Sequence, residues 1–420
     1  MRTFMLFVLC CSIFIQYPAY AQLDEPKYYT YLHESFSRQD NDIYDYLIDE
    51  FNLYLKTFPD SPNSDEALYM LGSLYMAERD YMEAFGTFIK IKFMYPQSAR
   101  ITDCATAIND IINNKESRTF EDHKIKIDQL MAESPENTTP SAAYYSCLEF
   151  LYQLHVENLN KFLIGEINNY VHSHTDKSGK KDLLFMWLGD LHEKERDWKK
   201  AIYTYNKITH LFPESILVPD VLFKRGYILY KEERSYDQAR EAFIRVLTDY
   251  PQINSAGEAQ FYLAEMYQEK LDNPQEAITN YQLLIESYPD NWHAVEALKR
   301  VAEIHDDAER YQEAINTYYQ IYELYPDKEY TPDALLEIRT LYRSELKNYE
   351  KAIEILKLFA TQYAQREDAA QRLFEAGEIY EDDLQRIQAA IDTYHEVKNK
   401  FPASKYARRA QDRIEDLSTE

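Results

Sequence analysis

Two histidines one residue apart, His172 and His174, are the nearest this chain comes to a metal site. Two imidazoles supply half of a tetrahedral set. No cysteine or carboxylate completes it at ligand spacing, so the pair reads as exposed histidines beside the last carbonyls of a helix. His192 and His305 read as core histidines. Only eight glycines are present, and none forms a phosphate-cradling loop. No serine or cysteine stands in a nucleophile-elbow context. Asn137-Thr138-Thr139 matches a glycosylation acceptor, a short match that a bacterial origin would void. Neither a metal nor a cofactor is expected, and the chain is not expected to be an enzyme.

With catalytic chemistry set aside, the elements dominate. Prolines fall at Pro59, Pro96, Pro135, Pro213, Pro251, Pro289, Pro326 and Pro402, with steps of 37 or 38 residues between neighbours where the series is regular. His174 and Ala364 hold the places where a mark is missing. Between marks the chain reads as two amphipathic helices, and repetition at this period means a solenoid. Counting from Gly72, Leu71 lies one residue before and Tyr75 three after, followed by Tyr81, Ala84, Phe88, Ile91 and Pro96. The same offsets from Gly189 give Leu188, His192, Trp198, Ala201, Tyr205, Ile208 and Pro213. From Ala302 they give Val301, His305, Tyr311, Ala314, Tyr318, Ile321 and Pro326.

The residue types follow from packing. Small residues on the first helix of a hairpin (Gly72, Gly189, Gly226, Ala264, Ala302, Gly377) and on the second (Ala84, Ala201, Ala239, Ala277, Ala314, Ala352, Ala390) let the two approach. Phe or Tyr one turn later fills the gap. Proline closes the second helix because it cannot continue the hydrogen-bond ladder. The hairpins around Tyr236, Pro274, Tyr349 and Ile387 carry one extra residue in the turn, which a loop tolerates.

This register resembles the tetratricopeptide repeat. Segments after the proline, such as Phe58 to Leu68, Tyr288 to Leu298 and Phe401 to Ala410, lengthen the unit beyond the usual period of about 34 residues. In that respect the chain looks like two bacterial envelope groups, the tetratricopeptide lipoproteins of outer-membrane assembly and the periplasmic proteins associated with the Tol–Pal system and cell division. The resemblance implies an all-α superhelical solenoid of about ten hairpins that holds other proteins.

Residues 1–21 read as a cleaved export signal: Arg2, an apolar stretch from Phe4 to Ile15, and Ala19-Tyr20-Ala21 before Gln22. Leu9 before Cys10 departs from the lipoprotein pattern. The expected locale is the periplasm or cell envelope, without a membrane span. Residues 22–96 are expected to form the N-terminal hairpins and 97–176 two degenerate ones, with a polar loop at 133–140 as the flexible point or lobe boundary. Six regular hairpins are expected over 177–402 and a capping helix over 403–420. A formal net charge of −26 argues against nucleic acid and anionic lipid, and favours a basic protein segment. Most of the thirty-eight tyrosines occupy packing positions.

First helices are expected to line a concave groove. Their unspent positions put Tyr69, Phe223, Phe261, Leu336 and Phe374 in one row, with Met186 and Lys299 completing it. Tyr227, Glu265, Glu303 and Glu378 stand one turn later, and Tyr230 and Glu269 beyond them. This stripe either binds an apolar-anchored partner with Lys or Arg between the anchors or finishes the core beneath a solvated acidic face. A second structural reading, a self-associating spacer, also stands; an enzyme with a site in the irregular middle is the remote one. Beyond the leader only Cys104 and Cys147 remain. They fall on first helices of neighbouring hairpins, about 8–10 Å apart, whereas a bridge needs Cα atoms within about 7 Å; a disulfide and two buried free thiols both stay open.

Overall fold

The computed structural model describes residues 24–133, 139–173 and 180–419. The expected leader, His174 and Asn137 lie outside them. No strand occurs among the described residues, and no helix there is long and apolar enough to cross a membrane. The chain divides into two compact units at Thr204/Tyr205, inside a helix and not at the polar stretch 133–140, where a lobe boundary was expected.

The N-terminal unit runs through α1 (Glu25–Ser37), α2 (Tyr44–Thr57), α3 (Ser64–Glu78), α4 (Tyr81–Met94), α5 (Ile101–Asp110), α6 (Lys124–Ala132), α7 (Pro140–Gln153), α8 (Asn160–Ser173) and α9 (Lys181–Lys194) into α10 (Trp198–Leu211). The C-terminal unit continues with α11 (Val218–Lys231), α12 (Tyr236–Asp249), α13 (Ala256–Glu269), α14 (Pro274–Ser287), α15 (Ala294–Asp307), α16 (Tyr311–Leu324), α17 (Thr331–Thr340), α18 (Tyr349–Gln362), α19 (Ala369–Glu378), α20 (Ile387–Lys400) and α21 (Lys405–Thr419).

Each regular second helix is bounded by its own sequence. It starts at the ninth or tenth residue after the small one, and its last hydrogen bond comes from the aromatic before the proline, as in Tyr250 N–H to Val246 O at 2.9 Å and Tyr325 N–H to Ile321 O at 3.0 Å. The proline then offers no N–H and the helix stops. The same aromatics tie one hairpin to the one before. The hydroxyl of Tyr288 donates to Pro251 O, and that of Tyr325 to Pro289 O, both at 3.0 Å.

The turn between the two helices of a hairpin passes through a left-handed residue that is not glycine: Arg79, Arg234, Asp272, Glu309, Lys347 and Gln385 all have φ between 47° and 70°. The closing bond reaches back five residues in the shorter units (Asp80 N–H to Tyr75 O, Arg310 N–H to His305 O). In the four with an extra residue it reaches back six (Ser235 to Leu229, Asn273 to Tyr267, Asn348 to Tyr342, Arg386 to Tyr380). The addition is thus absorbed without moving either helix off register. Behind α17 and α19 it also winds the end of the first helix into a π-turn, Leu341–Glu345 and Ile379–Asp383.

Inside the hairpins, an aromatic ring sits on the small residue of the first helix. A Cβ placed on Gly72 would lie 2.6 Å from Phe88 Cε1, on Gly226 2.9 Å from Phe243 Cε1, and on Gly377 2.4 Å from Tyr394 Cε1. Those distances leave no room for a methyl group. Gly189 and the recurring alanines Ala84, Ala201, Ala239, Ala277, Ala314, Ala352 and Ala390 are also buried.

The degenerate middle departs from the expected pair of hairpins. α5 ends in a π-turn at Ile111–Lys115, and α6 is short. α4 meets α7 as well as α5. Gly86 of α4 faces the ring of Phe162, with 2.3 Å to a Cβ built there, and Phe93 pairs with Phe150 at 5.9 Å. At this junction the Lys90 ammonium lies between Glu166 (2.5 Å) and the Tyr144 hydroxyl (3.2 Å). Cys104 and Cys147 are buried free thiols. The disulfide alternative is not realised, and burial pushes the Cys104 thiol up to about 12.

One inter-hairpin loop folds inward. His293, 5% exposed, stacks on Phe261 of α13 with ring centroids 3.8 Å apart. Its Nε2 is buried without a hydrogen-bond partner. Burial holds the imidazole down at about 4, against the opposing pull of Glu265 and Glu296 and with Lys231 adding to the depression.

Two outcomes are expected. Gly377→Ala, which an isolated helix would favour by about 1 kcal/mol, should lower stability by about 1–3 kcal/mol in urea unfolding. The same change should cost little in a Tyr394→Leu background; an unchanged midpoint in the wild-type background would show that the ring can move aside. Because the folded pKa of His293 lies below its unfolded value of 6.5, its neutral form contributes stability that is complete above that pH and is lost as pH falls towards about 4. The melting temperature of the wild type relative to His293→Phe should therefore fall from pH 7 to pH 4.5, and a constant difference would contradict the assignment.

Candidate functional site

The outward faces of the first helices carry the expected row, and the structure divides it. In the N-terminal unit Tyr69 is half-buried, its ring 6.1 Å from Phe88 and capped by the Arg100 guanidinium at 4.6 Å. In the C-terminal unit Phe261, Phe374 and Tyr230 are buried, with exposures of 4%, 2% and 2%. They finish the core and leave almost no exposed surface. The physical reason for Phe261 is the His293 loop, which covers its ring. For Phe374 it is Tyr394 on one side (5.0 Å) and Tyr406 of the capping helix on the other (5.6 Å).

The acids of the row are also partly spent. Glu265 is buried and paired with Lys231 at 2.5 Å. Glu269 is exposed, 3.4 Å from Lys270, and Glu303 is half-buried, 3.8 Å from Lys299. Leu336 is half-buried against the core of its hairpin.

Two accessible places stand out in the C-terminal unit. On α11 and α13, Phe223, Tyr227 and Tyr262 are half-buried in one patch. Tyr227 meets Tyr262 edge-on at 5.1 Å, and Phe223 lies 6.3 Å from Tyr262. The Lys231 ammonium stands 5.2 Å from the Tyr262 ring and 4.4 Å from Tyr230, a cation on aromatic faces.

The second place is a cavity of about 310 Å³ between α17, α19 and α21, lined by Arg339, Arg343, Arg372 and Arg409 together with Glu375 and Glu378. Phe374 and Glu378 of the expected row both reach it. Three guanidiniums converge on Glu375: Arg339 at 3.1 Å, Arg372 at 3.5 Å and Arg343 at 3.6 Å. Arg343 also holds Asp383 at 2.9 Å, and Arg409 faces Glu378 at 3.5 Å. Arg409 lies over the rings of Phe374 (4.6 Å) and Tyr406 (5.2 Å). Burial pulls the Arg339 guanidinium below its ordinary range, Glu375 opposing and Arg372 and Arg343 adding to the effect. The Nε atoms of Arg339 and Arg372 are buried without hydrogen-bond partners.

Arg339, Arg343 and Arg372 did not stand out in the sequence, yet a signal was there. Arg339 occupies the position that is Gly226, Ala264, Ala302 and Gly377 in the neighbouring hairpins. The second-helix position facing it holds Leu356 where the others have Phe243, Tyr281, Tyr318 and Tyr394. Repeat arithmetic shows the exception; only packing shows that Arg339 lines a cavity. His172, the histidine of the pair that is described, is exposed, with Nδ1 2.7 Å from Asn168 O. Among the described residues no group of three His, Cys, Asp or Glu is placed to hold a metal.

The tetratricopeptide repeat model matches residues 184–215 and 373–404, and a model of the soluble NSF attachment protein matches residues 229–335. No curated protein matches the chain. Among solved structures it is similar to a tetratricopeptide repeat protein from Parabacteroides merdae (13% identity, 66% of this chain and 99% of that one, TM-score 0.37). It is also similar to MamA (20% identity, 44% and 96%, TM-score 0.33). A third is YrrB, described as a TPR protein with an unusual peptide-binding site (16% identity, 53% and 96%, TM-score 0.32). Tetratricopeptide repeats are thus matched at residues 184–215 and 373–404, and the ring-on-small-residue register of the surrounding hairpins makes the chain a helical-repeat protein.

Proposed function

We propose that this protein is a non-enzymatic scaffold of the cell envelope that holds a partner protein on the first-helix face of its C-terminal unit. Tetratricopeptide repeats are protein-interaction modules, and the finer reading rests on one observation: Phe223, Tyr227 and Tyr262 remain half-exposed while the other aromatics of that face are consumed by the core. Half-exposed aromatic side chains bury large area on binding at little cost in side-chain entropy, which is why they serve as anchors. The resemblance of the long inter-hairpin segments to envelope families and the signal-like residues 1–21 support export. A role in outer-membrane assembly or in coordinating envelope and division fits that locale.

Photo-crosslinking in the native cell tests both parts. A crosslinker at Tyr227 should trap an envelope protein, while one at Ile244, exposed on the second helix α12, should not. Tyr227→Ala should weaken capture by about 2 kcal/mol if the ring is an anchor, with helical circular dichroism unchanged. Equal trapping at both sites would remove the binding face from the proposal. Recovery of a chain still beginning at Met1 from the cytosol would remove the export.

A further inference from the structure

We propose that the cavity between α17, α19 and α21 is a carboxylate-binding site that takes the acidic side chains of a partner's segment. This inference rests on the scaffold reading above and gives that partner a chemistry, acidic and not basic as composition alone suggests.

The chain carries 72 acidic against 46 basic side chains, yet four of the residues lining this cavity are arginines and only Glu375 and Glu378 are acids. Arg339, Arg343 and Arg372 share the carboxylate of Glu375, Asp383 and Asp368 engage Arg343 and Arg372 from outside the lining, and the buried Nε atoms of Arg339 and Arg372 have no hydrogen-bond partner. A planar guanidinium fork matches a carboxylate in two parallel hydrogen bonds. The chain's own Glu375 and Asp383 show that these arginines can be approached by carboxylates at 2.9–3.6 Å. Arg409 is 55% exposed at its side chain and held over Phe374 and Tyr406, so its orientation is set before a ligand arrives.

The repeat register supplies independent support. A position that elsewhere must be small is here Arg339, and the ring opposite is reduced to Leu356. A local rule broken on both sides at once, with the volumes compensating, marks a site kept for something other than packing. Nucleic acid and lipid surfaces suit it poorly, because their extended charge would lie along the acidic remainder of the chain. A short segment engages only the cavity, since beyond about 8 Å the surrounding acids are screened at physiological salt.

The test is fluorescence anisotropy of a labelled Glu/Asp-rich peptide titrated with the purified chain, alongside a Lys-rich peptide, a phosphorylated peptide and inorganic phosphate as competitor. The acidic peptide should bind, more weakly as salt rises, and the Lys-rich one should not. Arg409→Ala should reduce its affinity about tenfold or more, the equivalent of one charge-assisted contact. The double variant Arg339→Ala with Leu356→Tyr, which restores the pairing of the other hairpins, should melt like the wild type and lose binding. Binding that survives both variants would overturn the proposal. So would a preference for phosphate, or light scattering showing that the surface removed by Arg409→Ala joins two copies of this chain. If the acidic peptide fails while the Tyr227 crosslink persists, the cavity is an internal ion-pair network and the scaffold reading stands.

Discussion

The regular hairpins of this protein depend on one contact, an aromatic ring of the second helix lying on a glycine or alanine of the first. Phe88 on Gly72, Phe243 on Gly226 and Tyr394 on Gly377 set the separation of the two helices and hence how deeply the next hairpin can nest. Interiors are close-packed, so the spacing tolerates little variation. The effect repeats within each unit because hairpins there meet mainly their neighbours in sequence. The turns are the looser part, and there the chain varies by one residue without disturbing either helix.

The sequence made the hairpins legible because their signals are local. An offset list from Gly72 or Ala302 places helix starts, small residues and closing prolines, and the second helices begin and end where those marks fall. What it concealed is non-local. Phe261 reads as a free position on its helix because the residue covering it, His293, arrives from a loop two helices later. Phe374 is closed over by Tyr406 of the capping helix in the same way. In the irregular middle, the direct meeting of α4 with α7 and α8 depends on Gly86 and Phe162, 76 residues apart and joined by no periodicity.

Charge is poorly legible in the sequence for a related reason. Counting acids along the first helices suggested an acidic face, but Glu265 is neutralised by Lys231 and Glu375 by three arginines. Net charge describes the far field, and what a neighbour meets within a few ångströms is decided by which ions have been paired off. The arginine cavity is visible only once that pairing is known. The two accessible places of the C-terminal unit then differ in kind: α11 and α13 present half-buried rings, while α17, α19 and α21 present guanidiniums.

The left-handed turn residues have a separate implication. Arg79, Arg234, Asp272, Glu309, Lys347 and Gln385 occupy a conformation that disfavours a side chain by roughly 1–2 kcal/mol each. Glycine, the residue that commonly ends helices in this way, is used at none of them. Glycine would relieve that strain and give back part of the gain as unfolded-chain entropy, leaving a net stabilisation of up to about 1 kcal/mol per turn unclaimed. The protein thus holds a latent capacity for hardening in its turns, and a sturdier version could be made one loop at a time.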